Sequence, residues 1–195
     1  MDDLTTLKAA ARTDAFARRK AAKSPQADAA AVAHLLAEVL PFKGRAMAGY
    51  MPIRTEIDPL PVMAAMAAFG PVCVPVISQA GAPLSFHKWE PGCEMVAGPF
   101  GASVPASAAP VVPEVVIVPL VAWDRAGGRL GYGGGFYDRT LEGLRARGQV
   151  TAIGYAFQAQ EAQDLPLEPT DQPLDMIVTE AGVLRMGGNR PRSGA

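Results

Sequence analysis

With 195 residues, the chain has the length of one domain, enough to bury roughly 70% of its unfolded surface without disulfide or metal staples. Hydrophobic residues at 49% and charged residues at 19% are ordinary globular values. A net charge of −1 excludes the strong overall field expected of a nucleic-acid or membrane-surface binder.

The N-terminus is locally basic: Lys8, Arg12, Arg18, Arg19, Lys20 and Lys23 stand against Asp2, Asp3 and Asp14. It opens on acidic residues and lacks the apolar segment of a secretory signal. No run reaches the ~18 apolar residues of a membrane span. A soluble cytoplasmic protein is expected, with no nucleic-acid or membrane partner, and as a monomer. Residues 4–22 are Ala-rich and free of Gly and Pro, which predicts a first helix. Ser24-Pro25 pairs a capping side chain with a proline suited to a first helical position. The second helix is predicted to run to about Leu40, with Val32, Leu35, Leu36 and Val39 on one face. Arg45 to Tyr50 reads as a short strand. Asp58-Pro59 repeats the cap-then-proline signal, predicting a helix to Phe69. Pro71 to Ile77 is a β-branched strand interrupted by Pro75, and Leu84 to Glu90 alternates as another.

Cys73 and Cys93 form no metal-ligand spacing and no disulfide framework, so buried thiols in a reducing compartment are expected. His34 lies among helical apolar residues and reads as structural. Residues 98–113, rich in Gly, Ala, Ser and Pro, read as a long surface loop that could lie over a site.

Glu114 to Trp123 reads as a buried strand. Six of the thirteen residues from Gly127 to Arg139 are glycine, interleaved with two arginines, an aspartate and three aromatics. A flexible linker would be Gly/Ser-rich instead. Glycines let backbone N–H groups turn inward and an anion approach closely. A helix over Asp138 to Arg147 would present its positive dipole end to such an anion. The stretch matches neither Walker A, which needs a Lys-Ser/Thr pair, nor the dinucleotide fingerprint, which needs glycine where Phe136 stands. A phosphate-binding loop is one reading; a tight strand-to-helix connection is the other.

Val150 to Phe157 is a strand, Gln158 to Asp164 a short helix or turn, and Leu174 to Thr179 a strand with a hairpin partner at Val183 to Met186. Strands and helices alternate without a composition break or repeat. This predicts one α/β domain over residues 1–186, with a mostly parallel sheet and helices on both faces, a Rossmann-like three-layer arrangement. Residues 187–195 read as a disordered tail.

The segment Val118 to Arg139 resembles the signature of the 5-formyltetrahydrofolate cyclo-ligase (5,10-methenyltetrahydrofolate synthetase) family. Three further segments fit in order. Lys8-Ala9-Ala10-Ala11-Arg12 resembles its N-terminal Lys-x-x-x-Arg, Tyr50 to Ile57 its folate-binding segment, and Asp171 to Glu180 its C-terminal acidic strand motif. The resemblance spans nearly the whole chain.

It implies an ATP- and Mg²⁺-dependent cyclisation of 5-formyltetrahydrofolate to 5,10-methenyltetrahydrofolate, with release of ADP and phosphate. The formyl oxygen takes up the γ-phosphoryl group, and the neighbouring folate nitrogen closes the ring. Small molecules, the folate and ATP, are the implied partners. By the same resemblance, Lys8, Arg12, Arg129, Leu130, Gly131, Tyr132, Gly133, Gly134, Gly135, Phe136 and Tyr137 bind ATP, with Arg129 and Tyr137 in the catalytic role. Met51, Glu56, Tyr132, Gly133, Gly134, Gly135 and Phe136 border the folate, and Asp138 and Asp171 hold Mg²⁺. Lys8 and Arg12 lie four apart on one helix face, where both can reach one polyphosphate. A carboxylate such as Glu56 accepts two parallel N–H bonds from a pterin edge.

Each residue also has a plainer reading. Lys8 and Arg12 would suit a solvated basic face like that of Arg18, Arg19 and Lys20. Phe136 would suit core packing. Asp138 would stabilise any helix start, Asp171 any turn, and Glu56 an exposed loop. Trp89 is a pocket candidate without a motif. The chain departs from the family pattern at Leu120, Thr170, Phe136 and the loop around Val104. Those departures leave a non-catalytic folate- or nucleotide-binding paralogue as the alternative function.

Overall fold

The computed structural model describes residues 3–187. The predicted disordered tail beyond Gly187 lies outside the described residues. Four helices and eleven strands follow in chain order: α1 (Leu4–Ala22), α2 (Pro25–Val39), β1 (Met47–Ala48), α3 (Leu60–Ala67), β2 (Val72–Val76), β3 (Ser85–Lys88), β4 (Met95–Ala97), β5 (Ser103–Pro105), β6 (Val115–Pro119), β7 (Ala122–Trp123), β8 (Arg129–Leu130), α4 (Phe136–Arg147), β9 (Thr151–Tyr155), β10 (Met176–Thr179) and β11 (Gly182–Arg185).

Seven strands form one sheet in the order β11-β10-β9-β6-β1-β2-β3. The five inner strands are parallel, and the edge strands β11 and β3 run antiparallel to their neighbours. The sequence of β6 shows why this sheet is covered on both faces. Val115 and Ile117 point into a core shared with α2 and α3, while Val116 and Val118 point into a core shared with α4, and all four are fully buried. The predicted fold class is what the chain adopts.

Local signals act as expected at the helix starts. Ser24 Oγ accepts from the Ala27 N–H at 3.2 Å, and Asp58 Oδ1 from the Leu60 N–H at 2.9 Å. The fully buried stripe of α2 is Ala31, Leu35 and Val39, with Val32 and Leu36 at its margins. Pro75 is tolerated in β2 because it lies beyond the two residues that pair with β1.

Three expectations need correction. The strand predicted from Glu114 to Trp123 breaks after Pro119. Gln160 Nε2 donates to the carbonyls of both Leu120 and Val121, at 2.9 and 3.0 Å, and turns the chain out of the sheet into a β7–β8 hairpin. Gly127 and Gly128 therefore serve that hairpin: Asp124 Oδ1 accepts from the Ala126 and Gly128 N–H groups at 2.9 and 2.8 Å. The segment 98–113 is not a featureless loop, because its β5 pairs with β4 as a separate two-stranded ribbon. Trp89, the pocket candidate without a motif, is buried in the α2–α3 core.

Chain order fixes where a ligand can sit. From β1 the sheet extends to β2 on one side and to β6 on the other, so connections leave the carboxyl ends of β1 and β6 in opposite directions. That divergence opens a crevice above the sheet.

Candidate active site

A cavity of about 860 Å³ occupies that crevice. Its floor and walls come from chain just past the parallel strands: Tyr50 to Glu56 after β1, Pro75 and Ile77 at and after β2, and Pro119 at the end of β6. The glycine loop 131–135 and the first turn of α4 form one side, α1 another, and Ala102 to Val104 of the β4–β5 ribbon a third. The 98–113 segment thus contributes lining residues to the cavity.

The glycine loop is shaped by backbone demands. Gly133 (φ +99°) and Gly135 (φ +64°) adopt the left-handed region, and Gly135 is the cap from which α4 starts, two residues earlier than predicted. Arg12 Nε donates to the Gly131 carbonyl at 2.8 Å, and its guanidinium stands 3.4 Å from where a Gly133 Cβ would lie. Arg139 Nη2 donates to the Gly134 carbonyl at 2.6 Å. Two guanidinium groups therefore fasten the loop from outside, and both line the cavity. Lys8 stands one turn before Arg12 and is bound by Glu168 (2.7 Å) and Asp171 (3.2 Å). Burial alone would lower the Lys8 pKa, but those two carboxylates outweigh it and raise the value, so the ammonium is kept charged.

Arg129 is 4% exposed and donates from Nη2 to Asp138 Oδ1 at 2.8 Å. The same oxygen accepts from the Gln172 N–H at 2.9 Å, which ties the α4 start to the 168–172 turn. Asp171 Oδ2 in turn accepts from Lys8 and from the Glu168 N–H, the latter at 2.7 Å. Asp138 and Asp171 so lie on one wall. One oxygen of each is committed, and the other makes no hydrogen bond to another described residue. Among the described residues no group of three or more His, Cys, Asp or Glu side chains is placed to cage a metal. Two carboxylates with one oxygen each still suit a hard cation that takes its remaining ligands from phosphate and water.

Glu56, 5% exposed, lines the same cavity. Its Oε2 accepts from the Ile53 N–H at 2.9 Å, while its own N–H donates to the Ile53 carbonyl at 3.1 Å, which closes a tight turn on the side chain. Arg54 within that turn holds φ +55°, in the left-handed region where a non-glycine residue is strained. Burial raises the Glu56 pKa; the Ile53 N–H and the Arg19 charge oppose the shift without cancelling it. Met51, half-buried, lines the cavity as well.

Three buried donors on residues that line the cavity lack partners among the described residues: the Tyr137 hydroxyl, Arg129 Nε and Arg139 Nε. Burial, followed by the Glu56 charge, pushes the Tyr137 pKa far up, so its hydroxyl is a donor and not a base. Buried donors without partners are rare and mark places where a ligand or water completes the bonding.

The structure brings together every sequence-predicted site residue except one. Leu130 is 2% exposed and packs with Ala15, Val121 and Ala122 in a small core under α1, away from the cavity wall. Phe136 has a double placement, packed against the α4 core and lining the cavity. Sequence reasoning missed four residues. Glu168 pairs with Lys8, Arg139 fastens Gly134, Arg54 stands 5.9 Å over the Tyr132 ring, and Arg19 contacts Thr55 and Tyr132. Arg19 is a correction as well, since it is 1% exposed and not on a solvated face. Its spacing of seven from Arg12, which puts it on the same helix face, was the available signal. His34 is structural, as expected: its Nδ1 meets the Thr179 carbonyl at 2.8 Å.

Comparison with known proteins shows the family. The model of the 5-formyltetrahydrofolate cyclo-ligase family matches residues 5–180. The 5-formyltetrahydrofolate cyclo-ligase of Escherichia coli K12 is 35% identical over 159 residues, 78% of this chain and 81% of that protein. The one from Mycolicibacterium smegmatis is 33% identical over 152 residues, 72% and 76% of the two chains. The NMR structure of Aquifex aeolicus 5,10-methenyltetrahydrofolate synthetase superposes with a TM-score of 0.75 at 26% identity, covering 96% of this chain and 97% of that one.

Proposed function

The chain belongs to the 5-formyltetrahydrofolate cyclo-ligase family, and on that premise we propose that it converts 5-formyltetrahydrofolate to 5,10-methenyltetrahydrofolate, consuming ATP with Mg²⁺ and releasing ADP and phosphate. The observation that carries this reading is the lining of a single cavity. An arginine-fastened glycine loop, two carboxylates at Asp138 and Asp171, and the buried Glu56 carboxylate beside Met51 all border it.

An amide-like formyl oxygen is a poor leaving group, and phosphorylation makes it a good one. Ring closure is then intramolecular, so holding the folate in a reactive conformation supplies much of the rate. In this reading Lys8, Arg12 and Arg129 neutralise the polyphosphate, and the backbone N–H groups of residues 131–135 orient it. Asp138 and Asp171 would hold the metal ion, which would supply screening of the phosphate charge. Glu56 accepts from the polar edge of the pterin, with Met51 and the rings of Tyr132 and Phe136 as its apolar neighbours. Tyr137 donates its unpartnered hydroxyl to substrate. No protein nucleophile is needed, and positioning with charge neutralisation suffices.

The test mixes purified protein with 5-formyltetrahydrofolate and Mg-ATP and follows near-UV absorbance of the methenyl product. An ATP-dependent rise is expected. Folate binding by calorimetry without any rise would favour a non-catalytic binding paralogue instead.

A further inference from the structure

One guanidinium touches both halves of the cavity without lining it. Arg19, on α1, is 1% exposed. Its Nε donates to Thr55 Oγ1 at 3.0 Å, and its Nη2 donates to the Tyr132 hydroxyl at 3.0 Å. Its Cζ lies 5.1 Å from the Phe16 ring centre and 5.7 Å from that of Tyr132. The third corner, Nη1, stands 3.9 Å from Glu56 Oε1 and has no hydrogen-bond partner among the described residues. That is an ion pair too long to be a hydrogen bond. A buried guanidinium normally satisfies its donors, and this one is a short movement away from doing so with Glu56.

Thr55 and Glu56 belong to the turn after β1, and Tyr132 to the glycine loop after β8. Tyr132 sits between Gly131, whose carbonyl accepts from Arg12, and Gly133, which packs against the Arg12 guanidinium. A planar, rigid fork transmits a displacement at one corner to the others, which a lysine ammonium on a flexible stem does not.

We propose that Arg19 is a positioning residue that couples the two substrate subsites: a ligand held by Glu56 changes how far the Arg19 fork turns, and through Tyr132 that turn sets the glycine loop for ATP. The inference rests on the cyclo-ligase reading of the cavity. It makes the two substrates bind with positive cooperativity, and linkage requires the effect to be reciprocal.

The experiment is calorimetric titration of the full chain with a non-hydrolysable ATP analogue and Mg²⁺, without and with saturating 5-formyltetrahydrofolate, and the converse titration. In the unmodified protein each ligand is expected to tighten the other by the same factor, between about 5- and 150-fold. Arg19→Lys keeps the charge and is expected to reduce that factor to below about twofold. Tyr132→Phe and Thr55→Val each remove one corner's partner and lower it in part. A residue that only supports the fold would lower thermal stability and leave the factor intact. Should Arg19→Lys not fold by circular dichroism, the two single-corner variants decide. An unchanged factor in Arg19→Lys, or in both single-corner variants, overturns the proposal, as does a factor of one in the unmodified protein. Cooperative binding without methenyl product would support the coupling while overturning the cyclo-ligase reading. Binding of neither ligand would overturn both.

Discussion

Glu56 concentrates the folate end of the site in two oxygens. One is used by the Ile53 N–H. Glu56→Gln keeps an acceptor for that bond but loses the charge, and it points an amide either at Ile53 or toward Arg19. A hydrogen bond to a charged group contributes about 1.5–3 kcal/mol. The folate KM should therefore rise about 10- to 100-fold with a smaller change in the ATP KM. Equal changes in both KM values would remove Glu56 from the pterin. The raised Glu56 pKa adds a pH signature. As pH falls from neutrality the carboxyl takes its proton earlier than an exposed glutamate would, so folate affinity should weaken at weakly acidic pH. The Gln variant should lack that limb. Stability has the opposite sign: the folded protein holds this proton more tightly than the unfolded chain, so between the ordinary and the raised value the Glu56 contribution declines as pH rises. At the start of α4, Asp138→Asn leaves the nearly buried Arg129 facing an uncharged partner. Breaking a fully buried pair costs about 3–5 kcal/mol, and the partial exposure of Asp138 reduces this to about 1–3 kcal/mol. A lower Tm together with a higher Mg²⁺ requirement is expected. Undiminished turnover at limiting Mg²⁺ would remove Asp138 from the metal.

The glycine loop and α4 act as one element, because the helix begins on a left-handed glycine. Gly133→Ala would force a Cβ into a backbone region at φ +99° that costs about 1–2 kcal/mol. The expected result is an ATP KM raised about 5- to 30-fold, with folate binding in the absence of ATP much less affected. Retained ATP affinity would show that the loop conformation is not what holds the phosphates. This element also shows what a sequence can and cannot disclose. The glycines, the arginines and the order strand–loop–helix were legible because glycine spacing and helix caps are local signals. The break after Pro119 was not, because the force behind it is Gln160, which reaches back 40 residues to two carbonyls. Likewise the β4–β5 ribbon hides in a Gly/Ala/Ser/Pro composition, since its pairing is set by register and not by propensity. The burial of the Leu130 side chain escapes the sequence for a related reason. A two-residue strand sends alternate side chains to opposite sides, and Leu130 faces the core while Arg129 faces Asp138.

Across the whole molecule, the cavity is lined by α1, the turn after β1, the glycine loop, the start of α4 and the β4–β5 ribbon. Ligands that fill it should stabilise the fold by mass action. At 100 times Kd the gain is about 2.7 kcal/mol. For a chain of this length that corresponds to a Tm rise of about 5–10 °C. Mg-ATP with folate should exceed either alone, and a scan showing no shift with any of them would argue against the site. The helix that carries Lys8, Arg12 and Arg19 has a particular place in the order of synthesis. Lys8 must find Glu168, 160 residues later in the chain. At about 5–20 residues per second, that helix leaves the ribosome roughly 10–30 s before its last ionic partner is made. The sheet strands β1, β2 and β6 can pair in the meantime, but the phosphate wall cannot assemble. In the proposed reading, catalytic competence is thus a late event in the life of each molecule: a nascent chain halted before the 168–172 turn would lack both the phosphate wall and β10, whose Met176, Ile177 and Val178 fill the two cores.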